Sequence, residues 1–175
     1  MAVAEPRLTG APATIRAAMA ADAPGIAAIY NQGIVERQAT FETRPRTHDE
    51  VAAWLDDDVV VLVAERDGRV AGFARAGRYS DRCVYAGVGE HGVYVDRAER
   101  GRGTGRALLE ALATAAEERG LYKLTSRVFT TNAASLALHR AAGFEVAGIQ
   151  RRHGRLDGEW KDCALVERLL GEAAR

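Results

Sequence analysis

The sequence predicts an α/β (α+β) fold, with a central mixed sheet and helices on both faces. Three observations predict it. Short β-branched or apolar runs alternate with stretches of helical apolar spacing. Asp67-Gly68 separates two apolar runs in the manner of a hairpin turn. The stretch Arg100-Gly101-Arg102-Gly103-Thr104-Gly105 joins a strand to a helix.

The elements follow in order. Residues 1–13, rich in Ala, Pro and Gly, read as a loose extension before a single domain over 14–175. Thr14 to Ala18 is a short first strand. Asp22 caps a helix with Pro24 in its first turn, and Ile26, Ile29, Ile34 and Val35 form its expected buried face. Thr47-His48-Asp49-Glu50 has capping-box spacing and starts a second helix through Val51, Trp54 and Leu55. Val59 to Glu65 and Val70 to Ala76 are the hairpin strands. Gly77 to Val88 is irregular, and Gly89 to Val95 is the next strand. A helix runs from Gly105 to Arg119 and stops at Gly120. Leu121 to Phe129 is a strand and Asn132 to Ala142 a helix. Phe144 to Gln150 and Trp160 to Leu169 are strands joined by a turn containing Asp157-Gly158.

Composition narrows the function. The chain has 175 residues, enough for one sizeable core. Its 24 basic and 24 acidic residues balance, which argues against general nucleic-acid affinity. No apolar run approaches the ~20 residues that span a bilayer. Cys83 and Cys163 are too few for a disulfide framework, and no Cys/His cluster has zinc spacing, so no metal is expected. A reduced cytoplasm fits best.

The glycine-rich loop points to a phosphate ligand. Glycine permits positive φ and close approach to the main chain. The first amides of the following helix lack internal partners, and the dipole there favours an anion. Together they make a pyrophosphate site. It is not a P-loop, because Arg106 and Ala107 follow the last glycine where Lys and Ser or Thr would stand. A dinucleotide fingerprint fits poorly, since the spacing is G-x-G-x-G.

The spacing R-x-x-G-x-G, here Arg100, Gly103 and Gly105, resembles the coenzyme A signature of the GNAT superfamily of N-acetyltransferases. Asn132 to Phe144, an Asn-led helix ending in Gly-Phe, resembles that superfamily's second signature. The interval between them accommodates one helix and one strand. The resemblance covers about Thr14 to Leu170 and implies a mostly antiparallel sheet. It also implies acetyl-CoA as cofactor, with Arg100, Gly101, Arg102, Gly103, Thr104, Gly105 and Arg106 at the pyrophosphate. The main chain around Val93, Tyr94 and Val95 would hold pantetheine, and Asn132 and Ser135 the cofactor arm.

Closer similarity is to the phosphinothricin N-acetyltransferases. It is carried by Val88-Gly89-Glu90-His91-Gly92-Val93-Tyr94-Val95, by Phe41-Glu42-Thr43-Arg44-Pro45-Arg46-Thr47, and by the spacing Gly77, Arg82, Tyr85, Glu90. Leu138-His139 and Gly158-Glu159-Trp160-Lys161-Asp162 continue it. Ser80 and Arg75 depart from that subgroup, which often has Lys and Tyr there. Arg75 and Arg78, with the tail from Arg151 to Asp162, resemble the arsinothricin N-acetyltransferases instead. The resemblance implies acetylation of the α-amine of a small acidic amino acid, and a homodimer.

Amide formation from a thioester needs a neutral amine, donors for the oxyanion and a proton for the thiolate. Glu90 is the candidate base, on one strand face with Gly92 and Tyr94; its burial would raise its pKa. His91 is the neighbouring alternative, though alternation sends it to the opposite face with Val93 and Val95. His139 stands where many GNAT proteins have a proton-donating Tyr, and two roles are open for it: proton donor, or locally bonded helix residue. Arg75, Arg78, Arg82 and Tyr85 are candidates for holding a carboxylate or phosphinate. Phe41 is either a pocket wall or a core aromatic. The alternatives are a GNAT enzyme for another amine (a protein N-terminus, a polyamine or an aminoglycoside), or a non-catalytic acyl-CoA sensor.

Overall fold

The computed structural model describes residues 11–175, so residues 1–10 of the expected extension lie outside the described residues. Seven strands form one sheet in the order β1-β2-β3-β4-β5-β7-β6. They are β1 Thr14–Ala17, β2 Val60–Arg66, β3 Arg69–Arg78, β4 Val88–Val95, β5 Lys123–Phe129, β6 Glu145–Leu156 and β7 Glu159–Leu169. Every pairing is antiparallel except β4 with β5. Helices α1 Ala23–Glu36 and α2 His48–Asp57 cover one face, and α3 Thr104–Glu118 and α4 Ala133–Ala141 the other. The mixed, mostly antiparallel α+β architecture is the one the sequence predicts.

Each face has its own core. Leu108, Leu109 and Leu112 of α3 are fully buried against Leu62, Ala74, Ala76 and Leu124 of the sheet. On the other face Ile26 and Ile29 of α1 and Val51 of α2 pack on Val63 and Phe73. Strand alternation drives this division, since successive side chains take opposite faces. Both β-hairpins turn on an Asp-Gly pair with positive φ at each residue: Asp67-Gly68 at 51° and 72°, Asp157-Gly158 at 49° and 83°. That pattern matches the twist of the flanking strands.

Four local expectations are corrected. Val35 is 70% exposed, because Ile34 beside it takes the inward position and the next residue lies about 100° round the helix. Asp22 gives no capping bond to α1. Its carboxylate instead accepts two hydrogen bonds from the Arg16 guanidinium, at 2.7 and 2.9 Å, and one from the Met19 amide at 2.8 Å. Strand β3 runs on to Arg78, because β4 offers partners as far as Gly89, so the irregular segment is shorter than expected. Likewise β6 continues to Leu156, and the last turn shrinks to two residues.

One feature of the sheet positions the site. The parallel β4–β5 pairing covers only Val88–Glu90 with Lys123–Thr125. Beyond Glu90 the two strands part, while β3 stays paired with β4 to Val95. From His91 to Val95 the β4 main chain therefore has a partner strand on one edge only.

Candidate active site

A cavity of about 680 Å³ opens beside the free edge of β4. The carboxyl end of β4, the loop, the start of α3 and the start of α4 line it from one side, and α1 with the Gln38-Ala39 segment from the other. Every expected cofactor residue except Arg102 lines it. Arg102 instead reaches Glu99 at 3.4 Å.

The loop owes its shape to two glycines. Gly101 and Gly103 have φ of 76° and 79°, and a Cβ on either would meet no protein atom within 4 Å. Both thus supply a left-handed turn and open space for a ligand. Gly105 has a different reason. A Cβ there would stand 2.9 Å from Leu138, so this glycine lets α3 and α4 approach. Gly103 precedes α3 without any side-chain cap, so the first amides of the helix remain available to an anion. Thr104 is 3% exposed, and its Oγ1 has no hydrogen-bond partner among the described residues. A buried orphan hydroxyl at a helix start, beside open amides, fits a phosphate oxygen.

Basic side chains flank this start. Arg100 donates to both oxygens of Glu36, at 3.2 and 2.9 Å, and Arg97 joins from the same side at 3.0 Å. The Arg100 guanidinium, and then Arg97, hold the Glu36 carboxyl below the usual carboxylate range despite its partial burial. Arg106 pairs with Glu110 at 2.7 Å. Asn132 accepts from the Ser135 amide at 3.0 Å and donates to the Gln38 carbonyl at 3.0 Å. It thereby caps α4 and ties it to the opposite wall. Glu36 and Gln38 were not anticipated; nothing in their own sequence neighbourhood distinguishes them from any helix end.

Glu90, Gly92 and Tyr94 share a face, as alternation requires. Tyr94 stacks on Phe73 at 5.2 Å and meets Tyr30 edge-on at 4.9 Å. Burial, then the neighbouring Tyr30, pushes its hydroxyl well above the ordinary phenol value, so it is a neutral group. Glu90 is not buried as expected: its side chain is 48% exposed. Its Oε1 accepts from Arg127 Nη1 at 2.9 Å, and Arg127 Nε donates to Gln150 at 3.1 Å. Arg127 was missed. The available signal was a charged residue in an inner strand, two positions after the Thr125 that pairs with Glu90.

The other expected substrate residues do not converge on one point. Arg75 shares the Glu90 face, but a hydrogen bond of 2.9 Å and an ion-pair contact of 2.5 Å tie it to Asp58, and it lies 4.1 Å from the Trp54 ring. Burial pushes the Asp58 carboxyl up, and the Arg75 bond opposes that shift. Arg78 pairs with Gly89, hence takes the opposite face, and its side chain is 71% exposed. Arg82 sits 5.4 Å over the Tyr85 ring in an exposed 3-10 turn, Cys83–Tyr85. Phe41 packs edge-on against Phe129 at 4.8 Å, beside Leu156 and Cys163. It is a packed aromatic on the β5 face that carries Arg127.

His139 is buried and does not line the cavity. Its Nδ1 lies 2.7 Å from the Ser135 carbonyl, which can only accept, so that nitrogen carries the proton. Its Nε2 then accepts from His91 Nε2 at 3.0 Å. His91 Nδ1 is left as a buried lone pair with no partner among the described residues. Burial first, and the facing imidazole second, hold His91 well below the ordinary histidine value. Burial lowers His139 too, against its bond to the Ser135 carbonyl. The pair is neutral.

Known proteins share the fold over nearly the whole chain. Residues 15–165 match the family described as "Acetyltransferase (GNAT) domain". The chain is 34% identical over 160 residues to an L-methionine sulfoximine/L-methionine sulfone acetyltransferase of Pseudomonas aeruginosa, covering 89% of this chain and 93% of that one. It is 37% identical over 162 residues to a phosphinothricin N-acetyltransferase of Alcaligenes faecalis, covering 90% and 82%. A phosphinothricin acetyltransferase of Sinorhizobium meliloti, solved in complex with acetyl-CoA, superposes with a TM-score of 0.87 at 33% identity, covering 93% and 91%. The family match and these relatives place the chain in the GNAT superfamily of acetyl-CoA-dependent acetyltransferases.

Proposed function

We propose that this protein transfers the acetyl group of acetyl-CoA to the α-amine of a small amino acid with a polar or acidic side chain. Phosphinothricin, arsinothricin and methionine sulfoximine represent the class. The observation that carries this reading is the face of β4 around Gly92. A carboxylate, a missing side chain and a guanidinium stand there together, next to the strand edge that the cofactor uses.

Bound acetyl-CoA supplies an acetyl thioester, whose carbonyl carbon gains the N–C bond as the C–S bond breaks. Glu90 takes a proton from the substrate ammonium; its Oε2 is free to do so while Oε1 stays on Arg127. Gly92 puts no side chain beside Glu90 on this face; a Cβ there would stand 3.3 Å from the Tyr94 ring. The unpaired β4 main chain offers amide donors for the developing oxyanion. Attack is direct, since Cys163 is buried with its thiol pushed up by that burial, and Cys83 lies on the exposed turn. Neither is a placed nucleophile. His139 can protonate the departing thiolate only after its Nε2 leaves His91 and takes up a proton.

A panel of amines offered with acetyl-CoA and a thiol reporter tests the reading. Acidic and sulfone-bearing amino acids should be turned over, and polyamines and aminoglycosides should not. Efficient acetylation of a polyamine with no acidic amino acid accepted would overturn the substrate class.

A further inference from the structure

We propose that Arg127 anchors the α-carboxylate of the amino-acid substrate and thereby selects α-amino acids over other amines. This rests on the reading of Glu90 as the base and of an α-amine as the nucleophile. Its ground is the ion pair itself. A guanidinium and a carboxylate 2.9 Å apart present adjacent opposite charges on one sheet face. An α-amino acid presents the inverse, an ammonium and a carboxylate separated only by Cα. Laid over the pair, its carboxylate meets Arg127 as its ammonium meets Glu90. The amine that must lose a proton is thus held at the group that takes it.

The geometry leaves Arg127 able to do this. Its Nε is fixed by Gln150 and its Nη1 by Glu90, while Nη2 has no partner among the described residues. The side chain is 30% exposed, so the head is held but reachable. A guanidinium clamped at two nitrogens loses little further freedom on binding a carboxylate oxygen. The competing cations are differently committed. Arg75 is neutralised by a buried Asp58 and covered by Trp54, and Arg78 is on the opposite face. Arg82, over Tyr85 on the exposed turn, remains for the substrate's side-chain group.

The test compares L-methionine sulfone with its α-carboxamide in the parent protein, Arg127→Met and Arg127→Lys. The parent should favour the free acid in kcat/KM by about 10- to 150-fold, the worth of one charged hydrogen bond. Arg127→Met should lose that preference and Arg127→Lys recover part of it, with coenzyme A affinity unchanged in both. A merely structural Arg127, or one acting only by orienting Glu90, would lower acid and amide by the same factor and leave the preference intact; that result overturns the inference. A parent that acetylates neither compound but turns over another amine overturns the substrate reading, and this inference with it.

Discussion

The two ends of β4 are built by different means. At the carboxyl end the cofactor cavity is built from main chain: a strand edge without a partner, two glycines at positive φ and a helix start without a cap. At the amino end the proposed amine site is built from side chains, with Glu90 of β4 reaching Arg127 of β5. A backbone site suits a ligand that never changes, because its donors are fixed by the fold. A side-chain site can be retuned by single substitutions without disturbing the sheet. On the proposed function, one end serves the fixed acetyl donor and the other a variable amine.

Separating the two ends gives the largest expected effect. Glu90→Gln should lower kcat by about 10²–10⁴-fold while coenzyme A affinity, measured by calorimetry, is unchanged. The loss should shrink as pH rises and the free amine becomes neutral unaided. A variant with near-normal turnover at neutral pH would remove Glu90 from the role of base.

The converse substitution is Gly103→Val. A branched residue at φ 79° costs roughly 1–2 kcal/mol of fold stability, which the fold should survive. Its side chain would enter the space that the protein leaves open there. Coenzyme A affinity should fall about tenfold or more, measured by calorimetry, with a cooperative thermal unfolding transition retained. Unchanged affinity in the folded variant would detach the loop from the cofactor.

Thr104→Val sharpens the same end. The orphan hydroxyl is a cost in the free protein and a donor in the complex. Its near-isosteric replacement should leave the free protein as stable as before or slightly more so. Coenzyme A should bind about 10- to 150-fold more weakly, as for the loss of a hydrogen bond to a charged group. A fall in both stability and affinity would mean that Thr104 supports the helix start and not the ligand.

The same division explains what was legible in the sequence. The loop from Arg100 to Gly105 could be read because backbone recognition demands particular residues at fixed spacing. So could two strand pairings, since Asp67-Gly68 and Asp157-Gly158 announce hairpins locally. Glu90 was singled out by the resemblance of its place before Val93-Tyr94-Val95. Arg127 was not, because its partner lies 37 residues away and only the β4–β5 register brings them together. Arg75 was readable as a cation but not as a neutralised one, since Asp58 meets it across a chain separation of 17 residues. Gly105 looked like part of the phosphate loop, whereas its neighbour is Leu138 of α4. His139 was placed on the correct helix, but its commitment to His91 depends on how α4 lies against the sheet.

That histidine pair supplies the smallest effect, and it bears on whether the two ends are independent. Both imidazoles are neutral in the folded protein, with pKa values pushed down by burial, and for His91 also by His139. No carboxylate contributes to either shift. In the unfolded chain each takes up a proton near its ordinary value of about 6.5. Above that pH neither state binds the proton and stability is unaffected. Below it the unfolded chain binds protons that the folded protein refuses, so stability falls as pH falls. The slope reaches at most about 1.4 kcal/mol per pH unit for each residue. The melting temperature should therefore decline from pH 6.5 downward, with the decline ending only where the folded pair itself takes up a proton. A His91→Phe/His139→Phe double variant should show a shallower decline, with the remaining slope owed to the carboxylates. If the parent and the double variant lose stability in parallel, the pair is charged or exposed in solution, and His139 would then be free of His91 and able to give its proton to the departing thiolate.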